Sequence, residues 1–265
     1  MLYWFKRTAT PALREQLVEK ETQTLPLDEQ IEQPVGHSGT TYSRTASGLA
    51  ARSTQTHVIV VACQKGGSGK TTLAAHLAVQ AGRMGHGPVV LVDTDPQGSL
   101  GGWRGARKDE APALATANLT DLAANPAELW SQNAAFAIID TPPALTDSIE
   151  RVIAFADLVL IPARPSPHDL RAIAATVDIV RRAGKPFLFV MNGAAARANI
   201  TAEAVAALSE HGRVAPVILH QRTEYAVSMI DGRTVMETVP SGRSAREIAE
   251  LWNYIHAQIG IRAAA

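Results

Sequence analysis

From His57 onward, apolar positions fall into short β-branched runs separated by stretches with a helical period. The runs are Val58-Ile-Val-Val-Ala62, Val89-Val-Leu-Val92, Phe136-Ala-Ile-Ile139, Leu158-Val-Leu-Ile161, Phe187-Leu-Phe-Val190 and Val217-Ile-Leu219. Unbroken apolarity of this kind predicts strands buried on both faces. Between the runs the spacing predicts helices near 71–84, 146–155, 168–183, 201–211 and 244–259. Strand–helix alternation then predicts an α/β doubly wound, mostly parallel sheet with helices on both faces. The sequence has no internal repeat.

Residues 1–56 read differently. Thr10-Pro11 can cap and start a short helix to about Gln23, with Leu13 and Leu17 on one face. Pro26, Pro34, Gly36 and Gly39 follow among many Ser, Thr and Gln, a composition that buries little apolar surface. The expectation is a poorly ordered extension and linker over 1–56, then a single phosphate-loop domain over 57–265. The opening Met1-Leu-Tyr-Trp-Phe-Lys-Arg7 is aromatic and then basic, the reverse of a signal peptide.

Composition narrows the class. The 265 residues suffice for one sizeable α/β domain plus an appendage. Lys+Arg and Asp+Glu balance at 25 each, so any grip on nucleic acid must come from a local arginine patch. The single cysteine, Cys63, excludes a disulfide framework and a four-cysteine metal site within one chain, and fits a reducing cytosol. No apolar run approaches the roughly 20 residues that span a bilayer.

The candidate chemistry begins at Gln64-Lys-Gly-Gly-Ser-Gly-Lys-Thr-Thr72, between the first strand and a helix. Gly66, Gly67 and Gly69, with Ser68, allow a tight turn whose amides cradle phosphate. The helix opening at Lys70, Thr71 and Thr72 adds its positive end. Lys70 can reach the β- and γ-phosphates and Thr71 can ligate Mg²⁺. The general pattern has glycine where this chain has Gln64, and Lys65 follows it.

Lys65-Gly-Gly-Ser-Gly-Lys-Thr71 resembles the deviant Walker motif of the ParA/MinD ATPases. The resemblance implies ATP and Mg²⁺ as cofactors, a homodimer on ATP binding, and a Lys65 that reaches the ATP of the partner subunit. Asp93-Thr-Asp-Pro-Gln97 resembles the family's second motif, which implies that Asp95 positions the attacking water and Asp93 supports the metal shell or the loop. Ala137-Ile-Ile-Asp-Thr-Pro-Pro143 ends an apolar strand in Asp140, the Walker B arrangement that sets a carboxylate near Mg²⁺. The Val190-Met-Asn192 strand end resembles the one where the family's asparagine reads adenine. An amide suits that task, since it donates and accepts at once. The likeness spans roughly 57–259.

Within the class, lone Cys63 does not fit nitrogenase iron-protein relatives. Ile248, Leu251, Trp252, Ile255 and Ile259 recur at helical spacing beside Glu247 and Glu250, which favours packing on the core over a membrane. His220-Gln-Arg222 and Gly242-Arg-Ser-Ala-Arg246 resemble DNA-contacting stretches of the ParA branch, implying Arg222, Arg243 and Arg246 as contacts to non-specific DNA. The expected activity is ATP hydrolysis that drives partition or positioning of a plasmid, chromosome region or protein cargo. The expected partners include a stimulating adaptor or centromere-binding protein, and the expected place is the cytoplasm, on the nucleoid in the ATP state. A metabolic phosphate-loop enzyme of amidoligase or dethiobiotin-synthetase type, or a MinD-like membrane regulator, remains the alternative.

Overall fold

The computed structural model describes residues 56–125, 134–144, 146–196 and 199–263, with side chains to residue 260. The extension expected over 1–56 lies outside the described residues except for Thr56. That residue is buried and donates its hydroxyl to the Ala134 carbonyl at 2.6 Å.

The strands are β1 (His57–Val61), β2 (Val89–Asp93), β3 (Ala113–Thr116), β4 (Phe136–Asp140), β5 (Leu158–Ala163), β6 (Phe187–Ala194) and β7 (Leu219–His220). They form a seven-stranded sheet in the order β3-β2-β4-β1-β5-β6-β7. Every pairing is parallel. The crossovers are α1 (Lys70–Arg83), α2 (Ser99–Ala106), α3 (Leu119–Ala124), α4 (Asp147–Ala154), α5 (Pro167–Arg182) and α6 (Asn199–Ser209). After β7 come α7 (Thr223–Met229), α8 (Val235–Thr238) and α9 (Arg243–Ala263).

Side chains alternate across a strand, and β1 divides accordingly. Ile59 and Val61 join Leu73 and Leu77 of α1 and Leu251 and Trp252 of α9 in one core. Val58 and Val60, also fully buried, face the other way. Buried residues of α4 and α5, among them Ile149, Ile153, Ile173 and Val177, lie on that side of the chain's core. The stripe expected on α9 is buried throughout: Ile248, Leu251, Trp252, Ile255 and Ile259 are at most 3% exposed. Each aliphatic member contributes roughly 1.5–3 kcal/mol by that burial. No helix among the described residues is long and apolar enough to cross a membrane.

The expected helices appear with their ends shifted by one to four residues. α2, α3, α7, α8 and β3 were not foreseen. They are short or glycine-bearing, and β3 is an edge strand without a fully buried residue, so none carries a periodic signal. The strand expected at Val217–Leu219 occupies Leu219–His220 instead. Its partner β6 shifts register between Asn192 and Ala194, at a Gly193 with positive φ, which cuts the ladder short.

Candidate functional site

Because the strands are parallel, their carboxyl ends share one edge, and the loops leaving those ends build the site. Asp93 and Asp140 are paired in register at the ends of β2 and β4, and Asp140 also pairs with Val61 of β1. The first loop runs from β1 into α1. Gly67 and Gly69 hold φ of 72° and 90°, a left-handed backbone that side chains disfavour. At Gly69 space forbids a side chain as well, since an added Cβ would overlap the Asn192 amide. That amide's Nδ2 donates to the Ser68 carbonyl at 2.7 Å. α1 starts without a side-chain cap, so its first amides and positive dipole end stay available to an anion.

Lys70 is buried, and its Nζ donates to the Lys65 carbonyl at 3.3 Å. Burial pushes its ammonium pKa down, while Cys63, Asp140 and Asp95 pull it back up. A phosphate would supply the counter-charge that favours the protonated form. The Thr71 hydroxyl donates to Asp140 Oδ2 at 2.6 Å. Burial raises the Asp140 carboxyl to about 7, opposed by that hydrogen bond. The other oxygen, Oδ1, is buried without a partner among the described residues. A hydroxyl beside a half-satisfied carboxylate is a donor set that a hydrated divalent cation completes.

Asp93 and Asp95, expected to face one pocket, part company. Asp93 is buried, its Oδ1 accepting from Asp95 N at 3.1 Å and its Oδ2 from Gly101 N at 2.8 Å. Both oxygens accept backbone amides, which is the loop support expected of Asp93 and extends it to α2. Asp95 is half-buried and does line the cleft, with Oδ1 accepting from Gln97 N at 3.0 Å. That cleft, about 700 Å³, is lined by Gly66, Gly67, Gly69 to Thr72, Trp103, Met229 and Ile230, among others. Lys65 is half-buried and is not among its lining residues.

A second cavity of about 170 Å³ adjoins the first, bounded by Asn192, Leu219, Tyr225 and Ile248. A cavity of roughly 150 Å³ admits a benzene ring, so this one suits a flat base inserted through its open side. Asn192 keeps its Oδ1 and second N–H for such a guest.

Of the three arginines expected on DNA, Arg222 is placed otherwise. It borders the second cavity, and its Nη2 is paired with Glu247 at 2.7 Å. Glu247 also takes His220 Nδ1 at 2.9 Å and the Tyr225 hydroxyl at 3.2 Å. Arg243 and Arg246 are exposed, without an ion pair among the described residues.

Several neighbours of the site carry no local signal in the sequence. His76 of α1 is fully buried; its Nδ1 lies 2.8 Å from the Thr72 carbonyl, and Nε2 accepts from Val235 N at 3.2 Å. Those partners fix the neutral Nδ1–H tautomer, and burial lowers its pKa to about 4. Trp103 Nε1 donates to the Arg233 carbonyl at 3.0 Å, and Arg107 donates to the Gly232 carbonyl at 2.9 Å and to Glu237 at 2.7 Å.

Residues 59–235 match the model of the CobQ/CobB/MinD/ParA nucleotide binding domain. Maintenance of carboxysome distribution protein A of Halothiobacillus neapolitanus is 32% identical over 216 residues, covering 77% of this chain and 98% of that protein. Protein ParA of Rhizobium radiobacter is 30% identical over 179 residues, covering 64% of this chain and 80% of that protein. The fold is similar to that of apo McdA from Cyanothece, with a TM-score of 0.64 at 21% identity, over 76% of this chain and 100% of that one. The glycine-rich turn into α1, the carboxylates at two neighbouring strand ends and a family match over most of the domain agree. This chain belongs to the CobQ/CobB/MinD/ParA nucleotide-binding family.

Proposed function

We propose that this chain is an ATP hydrolase whose ATP form pairs with a second copy and holds non-specific DNA, and so positions or partitions a cargo. The observation that carries the reading is the cleft itself. It brings Lys70, Thr71 and Asp95 together over Asp140, while Lys65 sits beside the loop yet outside its own cleft. A lysine so placed serves a nucleotide held by another copy. The mouth agrees: Ile230, which lines it, is 77% exposed, an apolar side chain that a second copy would cover.

In this reading the loop amides and Lys70 bind the phosphates, and Asp95 orients the attacking water. Mg²⁺ would be held by Thr71 and, through water, by Asp140, and would offset charge on the β- and γ-phosphates. Asn192 offers its free amide atoms to the base while it props the loop through Ser68. Lys65 of each copy gives closure its dependence on ATP, since a nucleotide shifts this equilibrium only by binding the closed dimer better than the open chain. Arg243 and Arg246, doubled on pairing, provide the DNA contacts, so affinity rises steeply with dimerisation. Relatives named for carboxysome distribution, ParA and chromosome partitioning support a positioning role. An adaptor that stimulates hydrolysis would complete the cycle.

The test incubates the full chain with a non-hydrolysable ATP analogue, then with non-specific DNA or with anionic vesicles. Retention on DNA alone is the expected result. Binding to vesicles alone would move the chain to membrane regulation, and binding to neither would favour a metabolic enzyme.

A further inference from the structure

Arg164 stands where the cleft and the second cavity meet, in the turn between β5 and α5. Only Gly69 and Thr72 share with it the lining of both spaces. Its main chain is held: the Arg164 carbonyl accepts from Ser166 N at 2.8 Å. Pro165 fixes the next φ, and Ser166 caps α5 by accepting from Asp169 N at 3.2 Å. Its stem passes over the bare Cα of Gly193. A Cβ there would stand 3.4 Å from Arg164 Nε, 3.7 Å from Cγ and 3.9 Å from Cδ. Gly193 has φ of 64°, so backbone and space both keep that position free of a side chain.

The guanidinium at the end of this stem has no hydrogen-bond or ion-pair partner among the described residues. Arg107, Arg222 and Arg233, by contrast, are each paired with a carboxylate. An exposed arginine on a held main chain at a junction of two cavities is arranged for a ligand that passes through both.

We infer that Arg164 is a nucleotide-contacting residue that grips the α-phosphate, at the point where the phosphate chain joins the sugar. This rests on the reading of the cleft as a nucleotide site. The loop and Lys70 take the distal end of the phosphate chain, and the second cavity beside Asn192 takes the base. What lies between is ribose and α-phosphate, at the boundary that Arg164 shares with Thr72. A planar guanidinium meets two oxygens of one phosphate with parallel hydrogen bonds, which a lysine ammonium cannot do. Lys70 and Arg164 would then bracket the chain of phosphates from opposite ends. The α-phosphate is common to ADP and ATP, so this contact strengthens both alike and does not sense the γ-phosphate.

The experiment titrates the full chain and its R164A and R164K variants with ADP and with a non-hydrolysable ATP analogue. Arg164→Ala should weaken both by the same factor, about ten- to a hundredfold, as expected for loss of a charge-assisted contact. Arg164→Lys should recover part of the loss, and the defect in hydrolysis should lie in KM more than in kcat. Equal affinities for wild type and Arg164→Ala would overturn the assignment while leaving the nucleotide site intact. A loss confined to the ATP analogue would overturn it too, because the guanidinium would then serve a γ-phosphate. A wild-type chain that bound neither nucleotide would overturn the site reading along with it.

Discussion

The Thr71 hydroxyl and the Asp140 carboxylate meet at 2.6 Å across 69 residues of sequence, joining the first turn of α1 to the end of β4. The bond leaves one Asp140 oxygen buried and open, and in the proposed function the pair would hold Mg²⁺. Thr71→Ala should keep the nucleotide affinity measured in excess chelator and lose the gain that Mg²⁺ brings. Hydrolysis should fall on the order of a hundredfold, the scale of a lost transition-state contact. Paired titrations with and without Mg²⁺ check this, and a full Mg²⁺ gain in the variant would remove Thr71 from the metal site.

Lys65 separates a dimer from a monomeric enzyme. Lys65→Ala removes one charge-assisted contact per nucleotide, each worth about 1.5–3 kcal/mol, and two act at every closure. Dimerisation with a non-hydrolysable ATP analogue should weaken by several orders of magnitude, as read by sedimentation. Affinity of the single chain for nucleotide should change little, since Lys65 does not line its own cleft. Dimerisation at the wild-type level in the variant would exclude a Lys65 contact to the nucleotide of the other copy.

The arginines should divide into two groups. Arg243→Glu with Arg246→Glu should abolish DNA retention without loss of stability, because both side chains are exposed. Wild-type binding should drop steeply as salt rises. Arg222→Ala should instead cost about 1 kcal/mol of stability, since it takes the ion-pair partner from a Glu247 that is only 12% exposed yet leaves its hydrogen bonds from His220 and Tyr225, and Arg222 itself is a quarter exposed. An unchanged gel shift in the double variant would put the DNA surface elsewhere.

His76 makes stability depend on pH. Its folded pKa, about 4, lies below the ordinary 6.5, so the unfolded chain binds the extra proton between those values. The stabilisation is full above about pH 6.5 and fades as pH falls toward 4. Between pH 7.5 and 5 it amounts to about 2 kcal/mol. Urea denaturation at the two pH values should show a smaller difference for His76→Gln than for wild type. Equal differences would mean that His76 is not held neutral.

The fold was legible because its central strands are unbroken apolar runs and its long helices carry periodic stripes. Ile248 to Ile259 could be assigned to the core from spacing and neighbouring charge alone. The phosphate loop was legible because its chemistry is local: glycines, a lysine and a threonine in eight consecutive residues. Arg222 shows where such reading stops. Its partner Glu247 is 25 residues away, and only the fold brings that carboxylate to the guanidinium. Asp93 is similar, since the amide of Gly101 that occupies its second oxygen belongs to a helix too short and glycine-rich to foresee.

The segment Gly232–Val235 is fastened at three points. Trp103 and Arg107 of the α2 region take its carbonyls at Arg233 and Gly232, and His76 of α1 takes the amide of Val235. Ile230, two residues before it, therefore projects from an arch with both feet planted. One foot stands on the helix that follows the phosphate loop, the other on the helix behind the Asp95 turn. In the proposed dimer, a subunit that pressed on Ile230 would load both feet at once, so docking at the mouth would couple mechanically to alignment of the Asp95 turn.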